Sequence, residues 1–73
     1  MMDPLERQLL DSFDLPFGQH VDLFEVVFEG DVKLLRLRIR EKSRFTQVDL
    51  DPATAKLWSD SMSAWADSRD SGE

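Results

Sequence analysis

Residues 21–50 read VDLFEVVFEGDVKLLRLRIREKSRFTQVDL, and this stretch decides the fold. Valine and phenylalanine, which favour strands, are frequent in it. Its middle alternates strictly between apolar and basic side chains, as expected of a strand with two different faces. The alternating residues are Leu35, Arg36, Leu37, Arg38, Ile39 and Arg40. Two turn signals, Gly30-Asp31 and Lys42-Ser43, divide the stretch into predicted strands over 20–29, 32–41 and 44–50.

Two-residue loops at both turn signals predict a register for the three strands. The first loop pairs Val26 with Leu35, and the second pairs Leu37 with Val48 and Arg36 with Asp49. The predicted inner face is apolar, and a slip of one residue would move every side chain of a strand to the other face. That inner face holds Phe24, Val26, Leu35, Leu37, Ile39, Val48 and Leu50. The predicted outer face mixes the arginines, with Glu25 beside Arg36, and the apolar residues Val21, Leu23, Val27, Leu34 and Phe45.

The flanking segments are predicted to be helices. Residues 3–13 begin with an Asp-Pro pair typical of a helix start, and Leu5, Leu9 and Phe13 recur every four residues. Asp51 and Pro52 repeat that start for a second helix over 52–68. Its apolar stripe holds Ala55, Trp58, Met62, Trp65 and Ala66. Residues 69–73 are predicted to be a frayed polar tail.

These elements predict a single α+β domain over 1–73 in the order α-β-β-β-α. A three-stranded antiparallel meander carries the C-terminal helix on its inner face. The short N-terminal helix, a partner protein or a second copy is expected to cover part of the outer face, since a sheet face open to water normally alternates more cleanly.

Composition argues against several classes of function. The 73 residues carry a formal net charge of −6, which disfavours nonspecific binding to nucleic acid or anionic membranes. There is no cysteine and one histidine, His20, so neither a disulfide nor a zinc site is expected. No apolar run reaches the roughly 20 residues that span a bilayer, and the first residues lack the pattern of a signal peptide. We therefore expect a cytoplasmic protein without cofactor or metal.

No motif in the sequence carries a recognisable catalytic chemistry. Glycine-rich phosphate loops and nucleophile elbows are missing from the sequence. His20 with Asp22 is more simply a loop pair than a metal or acid–base site, and Asp51 is explained as a helix cap. The sequence therefore predicts a protein that is not an enzyme and has no evident small-molecule substrate.

The leading hypothesis is a small acidic protein-interaction module, an accessory or regulatory subunit that binds a larger protein or itself. Arginines at the rim would set orientation, and apolar residues would supply most of the binding energy. The predicted contacts are Val21, Leu23, Leu34, Arg38, Arg40 and Phe45, with Leu15 and Phe17 as a second patch. The alternative is a binder of anionic ligands or nucleic acid that uses Arg36, Arg38 and Arg40, because arginine forks suit phosphate.

Overall fold

A computed structural model of the protein describes residues 3–71. Four antiparallel strands form one sheet in sequence order, and a single helix follows. The elements are β1 (Glu6–Asp14), β2 (His20–Phe28), β3 (Val32–Glu41), β4 (Arg44–Leu50) and α1 (Pro52–Ser71). The α+β class is confirmed, but the predicted three-stranded sheet with an N-terminal helix is wrong.

The segment predicted as the N-terminal helix is instead an edge strand. β1 pairs with β2 along its whole length, and the Leu5 amide extends the ladder by donating to the Val27 carbonyl at 2.6 Å. A spacing of four residues fits one face of a strand as well as one face of a helix. The recurring leucines therefore could not distinguish a strand from a helix. Leu10 is an extra residue at a β-bulge, which displaces Phe13 from the face that Leu9 occupies.

The loop that joins β1 to β2 spans residues 15–19. The Leu15 amide donates to the Gln19 carbonyl at 2.8 Å, and the Gly18 amide donates to the Leu15 carbonyl at 3.3 Å. Gly18 has a φ of 96°, which glycine tolerates because it has no Cβ. The loop therefore reverses the chain in a hairpin rather than ending a helix.

The predicted register between β2 and β3 is wrong by one residue. The loop contains Glu29 as well as Gly30 and Asp31, so Phe28 pairs with Val32 and Val26 pairs with Leu34. Both Gly30 and Asp31 have positive φ, at 79° and 62°. The slip moves every side chain of β2 to the opposite face from the one predicted, as a shift of one residue must.

The predicted register between β3 and β4 is confirmed. Leu37 pairs with Val48, Arg36 pairs with Asp49, and the loop is Lys42-Ser43. The alternation of β3 is also confirmed, so its leucines and arginines lie on opposite faces of an unbroken strand.

The sheet has two faces of different character, defined by this register. On one, which we call the arginine face, the arginines of β3 lie beside Phe24, Val26 and Phe28. The other, which we call the helix face, presents Val21, Leu23, Leu35, Leu37, Ile39 and Leu50, and α1 contacts its β3 and β4.

The described structure is open and has a small core. Among the side chains that it describes, only Val26 and Leu50 are buried. The radius of gyration is 14.5 Å, against about 11 Å for a compact domain of this length. The helix begins at Pro52 as predicted but continues to Ser71, through most of the predicted tail, and residues 72–73 lie outside the described part.

Candidate functional site

Several side chains of the arginine face contact one another. Arg36 binds Asp49 through two hydrogen bonds, from Nε at 2.8 Å and from a terminal nitrogen at 3.0 Å. This pairing, with a smaller contribution from Asp3, raises the pKa of Arg36. Glu25, predicted to flank Arg36, lies on the helix face instead because it pairs with Leu35.

Aromatic rings on the arginine face are stacked beneath guanidinium groups. Arg7 lies 4.9 Å from the centre of the Phe24 ring, and Arg38 lies 4.5 Å from the centre of the Phe45 ring. Arginine stems can cover apolar surface while the charged ends stay in water. Val26 lies among these side chains and is 0% exposed. Contacts within the chain therefore engage Arg7, Arg36 and Arg38, while Phe45 beneath Arg38 remains 54% exposed.

A polar cluster joins β1 to β2 on the arginine face. His20 Nδ1 lies 2.7 Å from Asp14 Oδ1, and His20 Nε2 lies 3.0 Å from Asp22 Oδ1. Carboxylates only accept hydrogen bonds, so both contacts are hydrogen bonds at the same time only in the protonated imidazole, whose two ring nitrogens both donate. The hydrogen bond to Asp14 is the main cause of a raised His20 pKa, while that from Ser12 is the main cause of a lowered Asp22 pKa.

This cluster does not form an activated nucleophile. The Ser12 hydroxyl donates to Asp22 Oδ1 at 2.6 Å rather than to the histidine. A serine nucleophile needs a neighbouring base to accept its proton, and His20 is occupied by two carboxylates. Within residues 3–71 no group of three or more ligating side chains could hold a metal ion. The cluster is best explained as a set of hydrogen bonds between side chains of β1 and β2 that stabilises their hairpin.

The helix face holds an apolar groove of about 470 Å³ between the sheet and α1, which we call the helix-side groove. The sheet contributes Val21, Leu23, Leu35, Leu37, Ile39 and Leu50. The β1–β2 hairpin adds Phe13 and Leu15, and the helix adds Ala55, Trp58, Ser59 and Met62. The Ser59 hydroxyl already donates to the Lys56 carbonyl at 2.9 Å, so it offers no free donor to the groove. A smaller hollow of about 230 Å³ lies beside Leu10 and Pro52.

The groove is open because the helix stands away from the sheet. Trp58 is 39% exposed and Met62 is 61% exposed, although both line the groove. Trp65, one turn further along the same side of α1, is 64% exposed. The two tryptophans therefore do not form the closed lid that their spacing predicts.

The junction between β4 and α1 sets the direction of the helix. One residue, Asp51, separates the two elements. Its side chain accepts a hydrogen bond from the Thr54 amide at 3.3 Å, and its carbonyl accepts one from the Ala55 amide at 2.9 Å. The Thr54 interaction lowers the Asp51 pKa. Pro52 fixes φ at the first helical position, so the junction restricts the direction of the helix relative to β4.

The predicted contact residues fall into two separate groups. Leu15, Val21 and Leu23 line the helix-side groove. The second group, on the arginine face by the register, contains Leu34, Arg38, Arg40 and Phe45. Phe17, at the tip of the β1–β2 loop, is 87% exposed and lies in neither group.

Sequence reasoning did not bring Phe13 and Met62 together at one surface. The sequence pattern predicts Phe13 in a helix and Met62 in core packing beneath the sheet. One signal in the sequence was that β2 has apolar residues on both of its faces. One short helix could not cover all of these residues. The missing information was that α1 would not lie flat on the sheet.

The comparisons with known proteins define a family. Residues 5–68 match DUF6967, described as a family of unknown function. The chain belongs to the DUF6967 family. The matched span contains the whole sheet and the helix as far as Ser68, so it includes both walls of the groove. No match was found among curated proteins or solved structures.

Between residues 3 and 71, the only helix is too polar to cross a membrane.

Proposed function

We propose that this DUF6967 protein is a small protein-interaction module, an accessory or regulatory subunit that binds through its helix-side groove. The observation that carries the proposal is an apolar groove of about 470 Å³ whose lining side chains remain exposed. Large exposed apolar patches on small proteins commonly mark interaction sites. Only two of the described side chains are buried, so the core is small. Covering the groove would therefore add substantially to the buried apolar area of the domain.

The chemistry of the groove favours apolar protein side chains over a small polar ligand. Small-molecule sites usually combine an apolar wall with a few convergent polar groups that fix orientation. Here the lining is apolar except for Ser59, whose hydroxyl is committed to the Lys56 carbonyl. Nothing in the lining would orient a charged substrate, whereas leucine, methionine or aromatic side chains would fill the space.

Site-specific photo-crosslinking in the native cell tests this proposal. A photoreactive amino acid at Met62 would lie in the groove, and the same residue at Leu57 would lie about 140° around the helix. Met62 is 61% exposed and Leu57 is 67% exposed, so the photoreactive group is similarly accessible to other proteins at both positions. We expect protein adducts from position 62 and few from position 57. Equal adduct yields at both positions, or none at position 62, would refute the proposal.

The second candidate function is binding of an anionic ligand or nucleic acid by the arginine face. One observation favours it: within residues 3–71 no carboxylate forms an ion pair with Arg38 or Arg40. Arg36, by contrast, is held by Asp49. Binding of inorganic phosphate or an oligonucleotide that weakens steeply with salt, and that is lost in Arg38→Gln, would support this alternative.

A further inference from the structure

We infer that the helix-side groove is filled by a second copy of this chain, which contributes the exposed part of α1. The inference rests on the proposed function, because it names the partner of the same groove. Surface area supplies the first argument. The chain exposes 6001 Å², whereas a compact monomer of 8.5 kDa exposes about 4,650 Å².

The excess surface matches what a stable dimer buries. It amounts to about 1,350 Å² per chain, or about 2,700 Å² for two chains, which lies in the range of about 2,000–5,000 Å² for obligate homodimers. A specific interface of standard size would bury less, about 800 Å² per partner. The amount of uncovered surface therefore fits the larger interface of an obligate homodimer.

Closing the groove with the chain's own helix would require a change in the backbone at the junction with β4. The link to β4 is a single residue, its side chain caps the helix, and Pro52 restricts the backbone. Each chain, however, has an apolar helix segment that its own sheet leaves uncovered. Met62 and Trp65 lie on one side of that segment, so two copies related by a two-fold axis can exchange them.

Charge does not prevent this association even though each chain carries −6. The residues that line the groove carry no charge. With 3.6 residues per turn, Asp60 and Asp67 lie on the opposite side of α1 from Met62. Two helices that meet through their Met62 sides therefore keep these carboxylates apart and in water.

Sedimentation equilibrium of the purified full chain tests the inference, with two variants that differ only in the side of α1 they change. Met62→Asp places a charge in the groove, and Leu57→Asp places the same charge outside it. We expect the wild type and Leu57→Asp to sediment at twice 8.5 kDa. Met62→Asp should raise the dimer dissociation constant by about 100-fold, since a carboxylate in an apolar contact is strongly unfavourable. Circular dichroism checks that both variants keep the helix.

The outcomes separate this inference from the proposed function. Acrylamide quenching of Trp58, in a Trp65→Phe variant, reports whether the groove is open in solution. A monomeric wild type with accessible Trp58 overturns the second copy as the occupant but leaves the groove available to another protein. A monomer with shielded Trp58 overturns both, because the groove is then closed. A dimer that Leu57→Asp disrupts and Met62→Asp does not would also overturn the inference.

Discussion

Two adjacent valines on β2 give the sharpest test of the register. Val26 lies on the arginine face between Arg7 and Leu34, and it is fully buried. Val27 lies on the helix face between Glu6 and Lys33 and is half-buried. Replacing either with alanine removes the same two methyl groups and the same preference for strand. Any difference between the two variants therefore reports burial alone.

The structure gives a magnitude for each substitution. Val26→Ala loses about 0.8 kcal/mol for each buried carbon, and the cavity that remains brings the total to about 2 kcal/mol. Val27→Ala removes half-buried carbons from an open site and should cost less than about 1 kcal/mol. For a domain of this size each kcal/mol lowers the Tm by roughly 4–8 °C. We expect a loss of about 8–16 °C for Val26→Ala and less than half of that for Val27→Ala.

Thermal unfolding followed by circular dichroism measures both losses. All samples must have the same protein concentration, because association would make the Tm depend on it. Equal losses, or a larger loss for Val27→Ala, would refute the argument that the arginine stems bury Val26.

Two further predictions concern the helix junction and the polar cluster. Asp51→Ala should lower the free energy of unfolding by about 1 kcal/mol, because the cap on the Thr54 amide is lost; urea unfolding measures this, and a cost as small as that of an exposed Asp60→Ala control would contradict it. The raised pKa of His20 means that its protonated form favours the folded state. Its contribution is fully present below the ordinary histidine pKa of about 6.5 and is lost as the pH rises through the raised value. The Tm of the wild type should therefore fall over that interval relative to the Tm of His20→Gln, and parallel curves for the two proteins would contradict the charge assignment.

The sequence predicted β3, β4 and the start of α1 because independent signals agreed there. The strict alternation of β3, the tight turn at Lys42-Ser43 and the opposite charges of Arg36 and Asp49 require the same register. The Asp51-Pro52 pair defined the helix start through capping and a fixed φ. Where several physical requirements coincide, local sequence is sufficient to predict the structure.

The register of β2 was not predictable in this way. Apolar residues occupy both odd and even positions of the strand, so hydrophobic alternation fits either face. The register then depended on the turn, and Gly30-Asp31 has the composition of a two-residue loop although Glu29 also belongs to the loop. The prediction for the segment that forms β1 was wrong for a related reason. Its spacing of four suits a helix or a strand, and the bulge at Leu10 disrupts the alternation that would have identified a strand.

The slip in β2 changes which surface of the molecule we propose as the interaction site. With the predicted register, Val21 and Leu23 would share a face with the arginines, and that mixed surface would be the natural docking site. With the observed register, these residues join Leu35 and Leu37 on the helix face, and the arginines cover aromatic rings instead. The apolar residues of β2 thereby collect on the helix face, where they line the helix-side groove opposite α1. The proposed interaction site therefore depends on one extra loop residue between β2 and β3 and on the position of α1, rather than on any motif that could be recognised in the sequence.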